Sequence, residues 1–426
     1  MSSTQGYPLM TASPDPAILR AIESLNYRAT VGDVAAQAGL NVNLTEKGLL
    51  ALASQADGQL QVAESGEVIY QFPRNFRDVL RSKDFRLRLK ETWEKIWRVL
   101  FYLIRLSFGV VLVLLIVATF LAILALTIAA SSSRDDDRGG DFSMPTVWFS
   151  PDFFWIFTPD YDRRVDRQKS DLNFLESIYS FLFGDGNPNA DLEDRRWQTI
   201  ATVIRNNRGS VIAEQIAPFL DSVGTLSDQE SEQYMLPVLT RFDGRPEVSP
   251  EGQFVYQFPS LQTTVSQKER QWLPSFLRES LYQFSKASSG QITLAAGLGV
   301  VLLILAIVLL SMVAGAGTAL LKAIAFISLG YSVAYLLIPT IRYFFIKGRN
   351  RKILERNRER EMRSKRMEQA DTIVQQKLAY AQQFAAETVI QQSDLIYSTD
   401  RDLIEQDIER STQIDAEWQR RLEGKE

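Results

Sequence analysis

Leu106 to Ala130 reads LSFGVVLVLLIVATFLAILALTIAA, 25 residues without a single charge. A bilayer's hydrocarbon core takes about 20 helical residues. The run is therefore read as a transmembrane helix, and the chain as an integral membrane protein. Trp93, Trp97, Tyr102 and Arg105 precede it, residue types that favour the interface. A second uncharged run covers Ile292 to Ala316, and a third extends from Leu320 to about Phe345 after Gly315 and Gly317. Lys322 and Arg342 stand near the two ends of the third run, where both can snorkel, and Pro339 can kink it. The last two runs read as a helical hairpin with a short turn.

Both outer flanks are basic. Arg81, Lys83, Arg86, Arg88, Lys90, Lys95 and Arg98 lead into the first run, and Lys347, Arg349, Arg351, Lys352, Arg356 and Arg358 follow the last. The positive-inside rule places both on the cytoplasmic face, whereas three crossings place them on opposite faces. Either one basic flank is translocated or the first run enters and leaves on one side. The denser C-terminal flank is the one read as cytoplasmic. Arg86, Arg88, Lys347, Arg349, Arg351 and Lys352 are candidate contacts for lipid headgroups.

Two stretches outside the spans end alike, Val68-Ile69-Tyr70-Gln71-Phe72-Pro73 and Phe254-Val255-Tyr256-Gln257-Phe258-Pro259. Upstream of the first, apolar periodicity predicts helices over Ala17–Leu25 and Val31–Ala38, the latter opened by Thr30. A third follows, with Asn43 as cap and Glu46 at the capping-box position. Gly58 ends it, and two short alternating strands follow, Leu60–Val62 and Val68–Phe72. The second copy repeats the order, with Trp197–Ile204, Val211–Leu220 opened by Ser210, a third helix capped by Ser227 with Glu230, then Gly244 and a ribbon through Pro250-Glu251-Gly252 to Phe258. Three helices and a β-ribbon resemble a winged helix. Residues 15–73 carry three basic side chains against seven acidic ones, and residues 191–259 carry six against eleven. A DNA reader needs several Lys or Arg facing phosphate, so the charge favours protein docking and disfavours nucleic acid. Tyr70, Phe72, Tyr256 and Phe258 are candidate interaction residues.

Ser131 to Asp141 is a polar linker, followed by an aromatic tract in which Trp148 and Trp155 are candidate contacts, packed on a neighbouring domain or lying in the headgroup region. Asn173 to Phe183 reads as a short amphipathic helix. Asp185, Asn187, Asn189 and Asp191 alternate like a calcium loop, but Ala190 and Arg196 stand where that loop needs Gly and Glu, so a turn is expected. Between Gly348 and Gly424 there is neither Gly nor Pro, which predicts one long charged helix, or two with a break near Ser398-Thr399-Asp400.

The 426 residues contain no Cys and no His, and the formal net charge is −4. Thiolate catalysis, Cys/His zinc sites and Cys-ligated clusters are thereby removed, together with the usual general base. Only Lys322 and Arg342 are ionisable within the spans, which gives a transport pathway little to work with. The polar, uncharged N-terminus lacks the features of a secretory signal.

Phe181-Leu182-Phe183-Gly184-Asp185-Gly186-Asn187-Pro188-Asn189, followed by Arg195-Arg196-Trp197, the two Tyr-Gln-Phe-Pro ends and the late hairpin resemble a family of cyanobacterial and chloroplast membrane proteins. The resemblance implies a thylakoid location and no assigned activity. Plant members carry a label of iron–sulfur cluster biosynthesis, for which this chain holds no Cys or His ligand.

The expected fold is a mainly α membrane protein with about three transmembrane helices, two winged-helix-like repeats and a long C-terminal helix. The expected segments are a flexible start (1–14), repeat 1 (15–80), a basic juxtamembrane helix (81–105), the first span (106–130), a linker with an aromatic segment (131–190), repeat 2 (191–262), an amphipathic connector (263–290), the hairpin (291–346) and a charged helical arm (347–426). The expected function is a non-enzymatic membrane scaffold or assembly factor, without cofactor, whose partners are membrane lipids and a membrane protein complex. The alternative is a membrane-tethered regulator that binds nucleic acid through a winged helix.

Overall fold

The computed structural model describes residues 15–83, 85–132, 172–224, 231–266, 270–314, 318–369 and 371–422. Residues 1–14, the linker with Trp148 and Trp155, the Ser227/Glu230 cap and the Gly315–Gly317 turn lie outside the described residues, as do the side chains of Arg86 and Arg88.

In chain order the elements begin with α1 (Pro16–Ser24), β1 (Arg28–Thr30), α2 (Val31–Ala38), α3 (Val42–Gln55), β2 (Gln59–Ala63), β3 (Val68–Gln71) and α4 (Phe76–Lys83). Then come α5 (Phe85–Ser132), α6 (Phe174–Phe183), α7 (Leu192–Asn206), β4 (Ser210–Val211), α8 (Ala213–Ile216), α9 (Leu236–Phe242), β5 (Arg245–Val248) and β6 (Phe254–Gln257). The rest are α10 (Pro259–Gln262), β7 (Thr263–Thr264), α11 (Ser289–Val313), α12 (Ala319–Glu368), α13 (Thr372–Ala381), β8 (Thr388–Val389), β9 (Leu395–Ser398) and α14 (Leu403–Leu422). They fall into two compact units, one of residues 1–91, 189–280 and 354–426, the other of 92–188 and 281–353.

The first unit holds both Tyr-Gln-Phe-Pro segments. In the first module Thr30 caps α2 through a reciprocal box with Asp33. The cap of α3 is Asn41, which accepts from the Leu44 amide, and not Asn43, which lies one residue inside the helix. β1, β3 and β2 form an antiparallel sheet in that order. The stretch before Thr30 is the strand β1, pairing Ala29 with Tyr70. The second module has the same spatial order, β4–β6–β5. There the expected helix from Ser210 is shorter. Ser210 and Val211 are strand, and α8 passes into a 3-10 turn at Ala217–Phe219, where Pro218 ends regular helix. α9 ends at Asp243 in the left-handed region rather than at Gly244.

The two modules share a core. Ala35, Ala36 and Val42 of the first pack with Trp197, Ile200, Ile204, Phe242 and Phe258 of the second. Gly32 is required at this contact, because a Cβ there would run into the Ser260 carbonyl oxygen. Asp33 is 0% exposed. Beyond its cap it accepts from Arg205 at 2.7 Å, Thr264 Oγ1 at 2.9 Å and the Val265 amide at 3.2 Å.

The C-terminal arm departs from the all-helical expectation. α12 and α13 are helical, but β8 pairs parallel with β7, and β9 adds an antiparallel edge to β2. Thr388, Val389, Ile396 and Tyr397 are β-branched or aromatic, types that suit a half-buried strand. The absence of Gly and Pro hid this change of state. Residues 270–288, within the stretch expected as a connector, form no helix. Their polar backbone is held by amide side chains. Within the first unit Asn189 bonds Ser280 and Asn357 bonds Glu279; within the second, Asn350 bonds Tyr282.

In the second unit α5, α11 and α12 are long and apolar enough to cross a membrane. The juxtamembrane stretch and the first span form one helix, α5, continuous from Phe85 to Ser132. Pro339 lies inside α12. Small residues allow close approach, with Gly109 against Leu175 and Gly299 against Tyr335. Thr119 and Ser328 hydroxyls bond at 2.7 Å in the buried interior. Leu114, Leu121, Ile307 and Phe326 face outward. The Gly184-Asp185-Gly186 turn is a tie point. Asp185 accepts from Ser180 and the Lys286 amide, both at 2.7 Å, and lies 3.7 Å from Arg105.

Asp33→Ala removes the shared acceptor of Arg205, the Thr30 and Val265 amides and two hydroxyls. We expect a loss of about 3 kcal/mol in the unfolding free energy of the first unit, measured by denaturant unfolding of the detergent-solubilised chain. A change below about 0.5 kcal/mol would remove Asp33 from this role.

Candidate functional site

After Thr264 the chain returns to the surface and presents the most exposed large aromatic among the described residues. Pro274 and the neighbouring serine keep residues 270–275 out of regular structure. Their backbone is fixed by a reciprocal amide clamp, in which the Gln271 amide donates to Asn206 at 3.1 Å and Asn206 donates to the Gln271 carbonyl at 2.8 Å. The clamp positions Trp272, which is 87% exposed. Beside it Val203, Pro218, Phe219, Leu273 and Met367 line a groove of about 570 Å³. An adjoining cleft of about 360 Å³ shares Asn206, Arg270 and Gln271 and is more polar, with Arg205, Arg208, Gln262 and Glu387 on its walls.

The end of α12 forms one wall of the groove and is locked in place by charge. Arg360 is 0% exposed and pairs with Glu279 at 2.9 Å and Asp221 at 2.5 Å, while donating to the Leu220 and Leu277 carbonyls. Arg356 joins Glu279 at 2.5 Å. The hydrogen bond from Arg356, reinforced by Arg360, holds the Glu279 carboxyl below its ordinary range against the upward pull of burial. On α13, burial pulls the Lys377 ammonium down, but bonds to Glu214 at 2.8 Å and Glu232 at 2.6 Å outweigh it and hold the group above the ordinary lysine range. Burial beside Glu232, which accepts its hydroxyl at 2.8 Å, pushes the Tyr256 phenol up.

The sequence-derived contact residues lie elsewhere. Tyr70, Phe72, Tyr256 and Phe258 are between 0% and 4% exposed and belong to the module cores. The Tyr-Gln-Phe-Pro segment is a central strand running into a turn, so its aromatic rings are core, and the expectation of contact residues there is corrected. Lys347, Arg349, Arg351 and Lys352 are exposed on α12, with Arg349 4.7 Å from the Tyr282 ring centre. Trp272 was not singled out in the sequence. A lone Trp followed by Leu-Pro in a polar stretch was its only mark. Among the described residues no three His, Cys, Asp or Glu side chains gather to hold a metal ion.

The geometry defines a mainly helical protein with three helices of membrane-crossing length and a separate unit built on two small helix-and-sheet modules. No known family model matches the chain. No solved structure matches it. It is 37% identical to an uncharacterized chloroplastic protein of Arabidopsis thaliana, over 94% of this chain and 81% of that one. The chain belongs to this family of chloroplast proteins.

The ion pairs set a pH window for the arm. Glu279 titrates lower in the folded chain, so its contribution is present above the unfolded carboxylate pKa of about 4.3 and is lost as pH falls through the depressed folded value. Lys377 titrates higher when folded, so its contribution is present below about 10.4 and is lost as pH rises through the folded value. Limited proteolysis after α12 is expected to stay slow between about pH 5 and 10 and to accelerate on either side. Charge-neutral Glu279→Gln should remove the acid limb.

Proposed function

We propose that the chain is a non-enzymatic scaffold or assembly factor of thylakoid membranes, anchored by its apolar helices, that docks protein partners on its acidic unit. The observation that carries this reading is Trp272, 87% exposed beside an apolar groove of about 570 Å³. Exposed Trp beside a preformed pocket is the side chain most enriched among residues that dominate protein–protein binding. The chloroplastic relative supports the organelle, and the three apolar helices support the membrane.

In this reading the two modules are winged-helix repeats. Support comes from their shared order of helix, strand, helix, helix, strand, strand and from the strand order first–third–second in each sheet. The third helix of the first module exposes Leu44 and Leu50, and Lys47 is its only cation. That surface suits a protein better than a phosphate backbone. A DNA titration of the solubilised chain at low salt tests the nucleic-acid alternative, and tight binding would replace the docking reading.

The modules and the arm belong to one unit, joined by Asp33–Arg205 and by the β2–β9 ladder. A unit held by such contacts sits on one face of a membrane. This reading therefore puts 15–83, 189–280 and 354–422 on the same face, and with them both basic flanks, which requires an even number of crossings: α11 and α12 cross as a pair, and the chain between residues 83 and 189 leaves and returns on that same face. Because the chain has no native Cys, single cysteines can report the side. Ser54→Cys, Ser275→Cys and Ser393→Cys are expected to react with a membrane-impermeant maleimide from one face of sealed thylakoid vesicles. Labelling of Ser54→Cys from the opposite face would refute the arrangement.

Trp272→Ala is the test of docking. Purification of the tagged chain from gently solubilised membranes should yield a stoichiometric complex, and the variant should bind its partner at least about 30-fold more weakly. Its own unfolding midpoint should not move, since the side chain is exposed. Recovery of the wild-type chain alone, at monomer size, would count against the scaffold.

A further inference from the structure

α14, Leu403 to Leu422, is an amphipathic helix with an open apolar face. Its first turn is fixed to the first unit. The Ser398 amide donates to Gln406 Oε1 at 2.8 Å, Gln406 Nε2 donates to the Ser398 carbonyl at 2.9 Å, and Asp402 accepts from the Ile404 amide at 2.8 Å. Beyond that turn Ile408, Ile414, Trp418 and Leu422 are 61%, 45%, 61% and 81% exposed, and Ile404 is 71% exposed. Residues 404, 408, 411, 415, 418 and 422 follow the alternating four–three spacing of a coiled-coil seam.

We infer that α14 pairs with α14 of a second copy of this chain, antiparallel. The seam is self-complementary in that direction. Ile404 meets Leu422 of the other copy, Ile408 meets Trp418, and Ser411 meets Asp415, while the two Ile414 residues meet near the centre. The small Ser411, whose hydroxyl donates to the Ile408 carbonyl at 2.9 Å, leaves room for Asp415 in each of the two symmetry-related polar layers.

Charge fixes the same direction. Glu405 and Asp407 stand in the first half of the helix, where Glu409 is already paired with Arg401 at 2.8 Å, and Arg420 and Arg421 close the last turn. Antiparallel pairing sets acid against base at both ends, whereas parallel pairing sets like against like. A lipid surface fits less well. Helices that lie on membranes are rich in Lys and Arg, and this one carries five carboxylates against three arginines.

A single seam of twenty residues is short of a standard stable interface of roughly 1,600 Å². Confinement of both copies to one membrane raises their effective concentration and compensates. The inference rests on the scaffold reading for this confinement and names the partner of one of its surfaces. The occupant of the Trp272 groove is a separate matter.

Cross-linking of the full chain in proteoliposomes tests the pairing, on a background free of native Cys. Ile414→Cys should oxidise to a covalent dimer. Ile404→Cys alone and Leu422→Cys alone should not, because like residues lie about 27 Å apart along an antiparallel pair. Mixed Ile404→Cys and Leu422→Cys chains should form the heterodimer. Self-cross-linking of Ile404→Cys, or no dimer from Ile414→Cys and from the mixture, would overturn the inference. Asp415→Leu provides a second readout, since replacing the polar layer should raise the Ile414→Cys dimer yield, and an unchanged yield would place Asp415 outside the seam. Loss of partner recovery in Trp272→Ala with the cross-links intact would leave the dimer standing and locate other partners at the groove. Cross-links without any other partner would end the scaffold reading alone.

Discussion

The carboxylate of Asp33 is the interaction on which the first unit depends. It has no exposed surface and five hydrogen-bond donors, namely the amide and hydroxyl of Thr30, the Thr264 hydroxyl, the Val265 amide and the Arg205 guanidinium. Without it the Thr30 and Val265 amides and the Arg205 guanidinium would lose this buried acceptor, while the two hydroxyls would keep only the Thr263 and Ser266 carbonyls. The group thus caps α2, fixes the end of α7, and sets β7 where β8 can pair with it. Gly32 beside it removes the side chain that would hold the Ser260 backbone away. Two modules and the arm become one body at a point only a few residues wide.

The arm repeats the same physics on a larger scale. Arg360 and Lys377 are long cations driven into the interior, each met by two carboxylates. Such pairs add little net stability over apolar packing, but breaking one partner is costly. They act as position-specific fasteners. They hold α12 and α13 in one register against the second module, and the groove beside Trp272 inherits its wall from that register. Nothing in the groove needs to move for its shape to exist.

Much of the secondary structure was legible. The uncharged runs gave the apolar helices, and Thr30 ahead of an apolar pattern gave the start of α2. The modules were visible because Tyr-Gln-Phe-Pro recurs after comparable helical patterns. Its rings were misread as contacts, since the same alternation that marks a strand does not say whether both faces are covered. The arm was misread because local rules see Gly and Pro, while β9 is a strand only by virtue of β2. Asp33 and Arg205 each counted as one charge in a balance. Their pairing is a property of the fold, as are the clamp of Gln271 with Asn206 and the exposure of Trp272.

The edge strand β9 carries a consequence for how the chain is made. Leu60 donates to Thr399, a partner 339 residues further along. At ordinary elongation rates of about 5–20 residues per second, β2 waits on the order of half a minute for its neighbour. During that interval all three apolar helices emerge while the first module shows an unpaired strand edge, the kind of surface that recruits foreign strands. Synthesis therefore runs through an interval in which the nascent chain needs shielding, and the emergence of β9 ends it. A chain clipped before Leu395 would remain in that interval permanently.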